Sequence, residues 1–562
     1  MVELFTPEGE NLSGKPWRSY PRPQMRRKSY VNLNGSWDFA VTNGEIPKKY
    51  NQKILIPFCP ESALSGIGQH FPEGSALCYR KRIRLPQDYN RGRVLLHIGA
   101  ADQHAEVYVN QSKLATHSGG YESFTVDITE ALGDTIDLLI ICRDDLRDKS
   151  QPYGKQTMKR GGMWYTPVSG IWQTVWLETV PERYIQRLNI ENNGTSVTIS
   201  VEPALEGRII VPELGEFELE DGKVIISPEN PHFWSPDDPY LYEFTLWAGE
   251  DEIRSYFALR TLEVKEVGGY QRLCLNGKPY FFHGLLDQGY WPDGLFTPAT
   301  PECYANDILA MKKLGFNTLR KHIKVEPEEF YYQCDRLGMI VFQDMVNNGK
   351  YDFLRDTAMP TVGVQTRDDR KLHTDPATRD AFLRGMESTV FQLRNHPSIL
   401  YWTIFNEGWG QFDSDNVYNH LKALDGTRWI DSTSGWFRRK ESDVDSRHVY
   451  FRPIRLKAGE KPLVLSEFGG YSYKPEGHVF NTEKTFGYRK FNDAESFATA
   501  LEELYYTQVI PAAKEGLCAA IYTQVSDVED ETNGLLSYDR KVEKLTPERM
   551  LPIAQALHDA VE

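Results

Sequence analysis

The chain has no run of eighteen apolar residues, so no segment is long enough to cross a bilayer as a helix. It has no CxxC pair. Its seven cysteines (Cys59, Cys78, Cys142, Cys274, Cys303, Cys334 and Cys518) are scattered, odd in number and without a histidine at metal-ligand spacing. That pattern fits reduced structural thiols better than a disulfide framework or a zinc site. No basic stripe is present either, and a net charge of −15 argues against nucleic acid or an anionic membrane as the main partner. The opening "MVELFTPEGENLSGKPW" lacks the basic start and apolar stretch of a signal peptide, so a cytoplasmic location is expected. Finally, no glycine-rich phosphate loop follows the first strand of the α/β region described below, which disfavours a doubly wound nucleotide-binding sheet.

What the chain does have is length and aromatic content. At 562 residues it exceeds one ordinary domain, and its 40% hydrophobic and 25% charged shares are those of a globular protein. Its 12 Trp, 30 Tyr and 27 Phe are accounted for by core packing, with a sugar-stacking cleft as the sharper alternative.

Three textures follow one another. Up to residue 179, short alternating segments such as "GSWDFAV", "RVLLHIG" and "DTIDLLIICRDD" are separated by turn residues every eight to twelve positions. This predicts an N-terminal β-sandwich of jelly-roll type. Residues 180–264 hold about seven further short strands, among them "SVTISVEP" and "LYEFTLWAG", and predict an immunoglobulin-like β-sandwich. From 265 to 562, strands and helices alternate. "PECYANDILAMKKLG" reads as a helix capped by Thr300 and stopped at Gly315, and "FNTLRKHI", "MIVFQDM", "SILYWTIFNE", "PLVLSEFGG" and "LCAAIYTQVSD" read as strands. Several of these strands are apolar throughout, as strands buried on both faces are, and the length predicts a (β/α)8 TIM barrel.

Barrel enzymes carry their chemistry where strands end on the C-terminal side. Glu407 ends one apolar strand directly after Asn406, and Glu467 ends another. A single glutamate at such a place is more often a salt-bridge partner or a helix cap. Two on one rim match the pair that glycoside hydrolysis needs, one protonating the leaving oxygen and the other attacking the anomeric carbon or activating water.

With "YPRPQMRRKSYVNLNGSWDFAV", "SGGYESFTVDIT", "SGIWQTVWLE", "FALRTLEV", "LNGKPYFFHGLLDQG", "FNEGWG" and "LSEFGG" in this order, the chain resembles glycoside hydrolase family 2 over essentially its whole length. That family comprises β-galactosidases, β-glucuronidases and β-mannosidases. The resemblance implies that Glu407 is the general acid/base, Glu467 the nucleophile, and Asn406 the contact to the sugar 2-hydroxyl. The carboxyl groups are then expected about 5–5.5 Å apart, the separation of a retaining enzyme. The resemblance also implies substrate contacts for Asp287 after the first barrel strand and for Arg320 and His322 after the second, where the family shows Arg-x-Ser-His and this chain is one residue shorter. As alternatives, Arg320 orients Glu467 by an ion pair and His322 is a rim histidine. Either His448 or Tyr450 is expected against the nucleophile. Trp409, Trp436 and Tyr522 are candidate stacking walls, with plain packing as the equal alternative. Gln524 and Asp527, at the end of the last strand, are placed to reach the substrate or its leaving group.

β-Glucuronidases of the family carry an Asn-x-Lys element near the last strand. Here "EDETNGLLSYDRK" offers Asn533 and Gly534 with no lysine in that place and four nearby acids, which disfavours a uronic acid; "NNGK" at 347–350 lies after the third strand instead. The expected substrate is therefore a neutral β-glycoside; the resemblance puts a β-galactoside first, as the family's commonest activity, with β-glucuronide, β-mannoside and α-L-arabinoside as alternatives. Metal sites of the large β-galactosidases find no match, so no cofactor and no metal dependence are expected. A non-catalytic carbohydrate-binding protein and an endo-acting cellulase-type barrel are the competing classes. The sandwiches leave surface for a homo-oligomer.

Overall fold

A computed structural model describes residues 2–361, 364 and 368–561. The N-terminal region is built on two main antiparallel sheets, with a short two-stranded one pairing Ala101–Asp102 and Gly170–Ile171 beside them. One has six strands in the order Gln52–Ile56, Gly35–Thr42, Ala76–Ile83, Ile136–Arg143, His104–Val109 and Ser112–Ser118. The other pairs Val31–Asn32, Val175–Val180, Arg93–Ile98 and Phe124–Asp127. Alternate residues from both sheets (Trp37, Leu96, Val107, Ile140, Leu177) form one buried core between them. A second, smaller pair of antiparallel sheets, of three and four strands, runs from Arg187 to Phe257 around Ile199, Ile209, Phe244 and Ile253.

The expected boundary at Lys265 falls inside the strand Leu262–Val267, which pairs with Tyr270–Leu275. This hairpin belongs with the barrel: its Leu273 and Leu275 pack on Phe282, Phe342 and Trp429, closing the barrel at its N-terminal end.

Eight parallel strands form the barrel sheet: β1 (Phe282–Asp287), β2 (Thr318–Lys321), β3 (Ile340–Asp344), β4 (Ile399–Asn406), β5 (Trp429–Ser434), β6 (Asp445–Val449), β7 (Leu463–Gly469) and β8 (Leu517–Thr523). Hydrogen bonding runs unbroken from β5 through β4, β3, β2, β1, β8 and β7 to β6, and β5 and β6 lie side by side at the seam. Every residue of β4, β7 and β8 is buried, because helices cover one face and the barrel interior the other. The helix Glu302–Lys313 begins just after Pro301, a residue later than the capping pattern suggests. The long amphipathic segment between β7 and β8 is helical from Ala494 to Leu504, widens into a π turn over Tyr505–Val509 and resumes at Ile510–Lys514. The widening lies immediately before Pro511, whose nitrogen has no proton to give the preceding turn.

The first sandwich does not stand apart from the barrel. The segment from Asp144 to Ser169 leaves it, crosses the C-terminal rim and returns. Tyr153 donates from its backbone nitrogen to Asn347 O (3.1 Å) and from its hydroxyl to Gly349 O (2.9 Å), both after β3. Thr166 donates to Glu529 Oε1 (2.9 Å), after β8. Gly154 holds φ +63° at the tightest point. A Cβ there would lie 2.9 Å from the Tyr121 hydroxyl and 3.0 Å from Ile323 O, so the crossing chain can come this close only without a side chain.

Candidate active site

The abrupt exit of Asn406 and Glu407 from an apolar strand has a backbone explanation. Glu407 takes φ +53° and Gly408 φ +77°, so the strand stops in a left-handed turn, and Glu407 N still donates to Ser434 O on β5 (3.0 Å). The carboxylate is thereby held over the barrel interior.

Glu467, near the end of β7, is 4% exposed and fully partnered. Arg320 Nη1 donates to its Oε1 (3.1 Å), and the Tyr450 hydroxyl donates to its Oε2. Burial alone would raise its pKa. His448, the Arg320 guanidinium, His322 and the Tyr450 hydroxyl outweigh burial and pull it down to about 2. Of the two residues expected against this carboxylate, Tyr450 makes the hydrogen bond. His448 sits between the two acids, its Nδ1 2.8 Å from Glu407 Oε1 and its Nε2 3.6 Å from Glu467 Oε1. Carboxylate oxygens of Glu407 and Glu467 and a ring nitrogen of His448 all lie within 4.8 Å of one another. Three such donors resemble a metal site, but the Arg320 guanidinium is 3.4 Å from His448 Nε2, and its charge opposes a cation there.

Arg320 organises this floor rather than offering itself to a substrate. It is 1% exposed, and its fork is taken up by Asp344 Oδ1 (2.9 Å), Asn406 Oδ1 (2.9 Å), Ser466 O (3.0 Å) and Glu467. The ion-pair alternative therefore describes it, and the substrate-contact reading is corrected. His322 donates from Nδ1 to Asp344 Oδ2 (2.7 Å); burial, followed by the charge of Lys155, pushes its pKa down to about 4, so the ring is neutral near pH 7.

Five further candidate contacts are corrected. Asp287 shares its face of the sheet with Lys321, not with Arg320, because successive strand residues point to opposite sides. It receives Lys321 Nζ (2.7 Å) and Gly289 N (2.9 Å), away from the acid pair. Tyr522 is fully buried behind β8, its hydroxyl accepting Tyr471 N, so it is packing and not a wall. Gln524 is equally buried between Gln288 and Asn533, and Asp527 is held by Lys544 (2.6 Å) and Gly534 N. Trp409 is 1% exposed and stacks on Trp164 (5.2 Å between centroids), which leaves no open face for a sugar. Trp436 fits the wall reading best: it is half-buried, donates to Glu407 O (3.0 Å) and stands edge-on to His448.

Four residues escaped the sequence reading. Asp344 ends β3 as Glu407 ends β4, an acid closing an apolar strand, and that signal was legible. Tyr488, stacked on Tyr450 at 3.9 Å, and Glu531, which accepts from the Tyr165 hydroxyl and Asn533 Nδ2, come from loops without periodicity. Lys155 comes from the strap across the rim; it is 7% exposed, with its ammonium 5.4 Å from the centroid of Trp409.

Comparison with known proteins gives a consistent picture. Residues 266–533 match the family model described as glycosyl hydrolases family 2, TIM barrel domain. A β-galactosidase of Thermoanaerobacter pseudethanolicus is 23% identical over 441 residues, 71% of this chain and 54% of that protein. The chain thus spans about half the length of that curated relative. A β-glucuronidase of Felis catus is 25% identical over 489 residues, covering 73% of this chain and 69% of the other. The solved structure of a β-D-glucuronidase for Dictyoglomus thermophilum superposes with a TM-score of 0.73 at 18% identity, over 96% of this chain and 98% of that one.

Proposed function

Through its barrel the chain belongs to glycosyl hydrolases family 2, and from that premise we propose that it is a retaining, exo-acting β-glycosidase. In the first step a Glu467 oxygen attacks the anomeric carbon as its bond to the leaving oxygen breaks, while Glu407 gives that oxygen its proton. In the second step the Glu407 carboxylate takes a proton from water, whose oxygen attacks the same carbon and releases Glu467. The observation that carries the reading is the spacing: carboxylate oxygens within 4.8 Å leave no room for a water between acid and sugar, as inversion requires. The low pKa of Glu467 supports it, since a nucleophile must be ionised at the working pH. Asn406, fixed by Arg320, is placed to meet the 2-hydroxyl, and Trp436 to border the leaving group. The sheet orders and cores support reading the two N-terminal sandwiches as a jelly roll and an immunoglobulin-like module.

The sugar is the open part of the reading. The case against a uronide rested on the missing lysine and the four acids after β8, and β-galactoside came first only as the family's commonest activity. Of those four acids, Glu529 and Asp530 lie beside the Arg160 guanidinium (3.3 and 3.5 Å), Glu531 accepts from Tyr165 and Asn533, and Asp539 meets His478 (2.8 Å), so that repulsion is weakened. Lys155 favours a uronide as the second reading, because it brings a cation to the same rim.

The test is hydrolysis of p-nitrophenyl β-galactoside, β-glucuronide, β-glucoside, β-mannoside and α-L-arabinoside by the wild type and Glu467→Gln, with the first-formed anomer followed by proton NMR. Retention of configuration and a loss of at least about a thousandfold in the variant are expected. An inverted first product, or activity that survives the substitution, refutes the mechanism, and a protein inert on all substrates returns the case to a carbohydrate-binding role.

A further inference from the structure

Lys155 is a rim residue that the proposed mechanism does not use. It is buried, yet its ammonium forms no ion pair and donates no hydrogen bond among the described residues; its described neighbours are the rings of Trp409 (5.4 Å) and Tyr165 (5.9 Å). Both rings lead to the site. Trp409 lies two residues beyond Glu407, and Tyr165 donates its hydroxyl to Glu531. The charge of Lys155 acts on His322, itself 4.0 Å from Glu467 Oε1, and on Glu531, which also feels Glu467. Lys155 therefore faces the nucleophile's side of the cleft.

The carboxylates that would otherwise neutralise it are committed elsewhere. Glu467 is held by Arg320 and Tyr450, and Glu531 by Tyr165 and Asn533. With no acceptor from the protein, the ammonium at this largely buried position is left to solvent, and a ligand carboxylate would give it the charged partner it lacks. Its position is also built, not accidental: Gly154 admits the backbone close to Ile323, and hydrogen bonds from Tyr153 and Thr166 tie the strap to the rim on both sides.

We propose that Lys155, delivered by the first sandwich across the barrel rim, recognises a carboxylate on the non-reducing sugar, so that the substrate is a β-linked hexuronide. The inference rests on the glycosidase reading and deepens it. It assigns sugar selection to a lysine about 375 residues away in sequence from the loop after β8, about the count from Lys155 to Glu531, and to a different part of the fold.

The experiment compares kcat/KM for p-nitrophenyl β-D-glucuronide and β-D-galacturonide with those for the matching glucoside and galactoside, in the wild type and in Lys155→Met, which keeps the apolar stem against Trp409. The wild type is expected to prefer a uronide, and the two uronides separate the epimers. In the variant the uronide-to-neutral ratio is expected to fall by at least about a hundredfold, as loss of one partner of a buried charge pair does. A wild type that prefers the neutral sugar, or a variant in which both sugars fall together, overturns the proposal. If Lys155→Met does not fold, the wild type and Glu467→Gln are titrated with D-glucuronate, D-galacturonate, D-glucose and D-galactose by calorimetry. Tighter binding of a uronate supports the assignment, and equal or weaker binding overturns it. This readout needs no turnover, so it decides whether the site selects a uronate even if Glu467→Gln shows the mechanism to be wrong.

Discussion

Replacing Arg320 by methionine probes the centre of the site. The side chain is 1% exposed and joins Asp344, Asn406 and Glu467 through bonds of 2.9, 2.9 and 3.1 Å. Methionine fills much of the volume but leaves two buried carboxylates without their cation, a loss of about 3–5 kcal/mol. For a unit of barrel size that lowers the melting temperature by about 6–10 °C. The same change alters the titration of Glu467. Its folded pKa is depressed to about 2 from the ordinary 4.5, so its stabilising contribution is present above pH 4.5 and is lost as the pH falls toward 2. Without Arg320 the burial that raises this pKa is less opposed, although His448, His322 and Tyr450 remain, and the acid limb of kcat/KM moves upward. Scanning calorimetry at pH 7 and a pH–rate profile on a p-nitrophenyl glycoside measure both effects. A melting temperature within about 2 °C of the wild type, or an acid limb that stays in place, would show that Arg320 is not what holds the nucleophile ionised.

Glu407→Gln is expected to lower kcat/KM by about 10²–10⁴-fold on substrates with poor leaving groups, and to spare dinitrophenyl glycosides, whose leaving oxygen needs no proton; equal losses on both would remove Glu407 from the acid role. Because His448 lies 2.8 Å from Glu407 and 3.6 Å from Glu467, His448→Asn should change the shape of the pH–rate profile and not merely its height, and an unchanged shape would make it a packing residue. Gly469→Ala places a Cβ 2.3 Å from the Tyr522 ring at φ +83°, two residues beyond the nucleophile. A loss of about 1–3 kcal/mol in stability is expected by thermal denaturation, and a neutral result would mean that β7 can shift as a body.

The sequence carried the local rules. Apolar runs marked β4 and β7 because both their faces are buried, and the polar residues that end them, Asn406, Glu407 and Glu467, stood out against those runs. Tyr450 was marked only together with His448, through the family resemblance, and the fold decided between them. Asp344 carried the same mark as Glu407 and was open to the same reading. What the sequence could not decide was direction. Asp287 and Tyr522 end their strands as the active residues do, yet pleat alternation turns Asp287 to Lys321 and Tyr522 to Tyr471, away from the acids.

Nor could sequence separate a residue that touches substrate from one that positions its neighbours. Arg320 became the latter only when Asp344, Asn406 and Glu467, from three other strands, closed around it. Lys155 is the furthest case. It lies in a segment without periodicity, in a different sheet system, and reaches the rim only because the strap is bonded to the loops after β3 and β8. Strand identity and the two glutamates follow from neighbours along the chain, whose periodicity and polarity are local properties. The electrostatics of the site follow from groups brought together across hundreds of residues, and only the folded chain sets those distances.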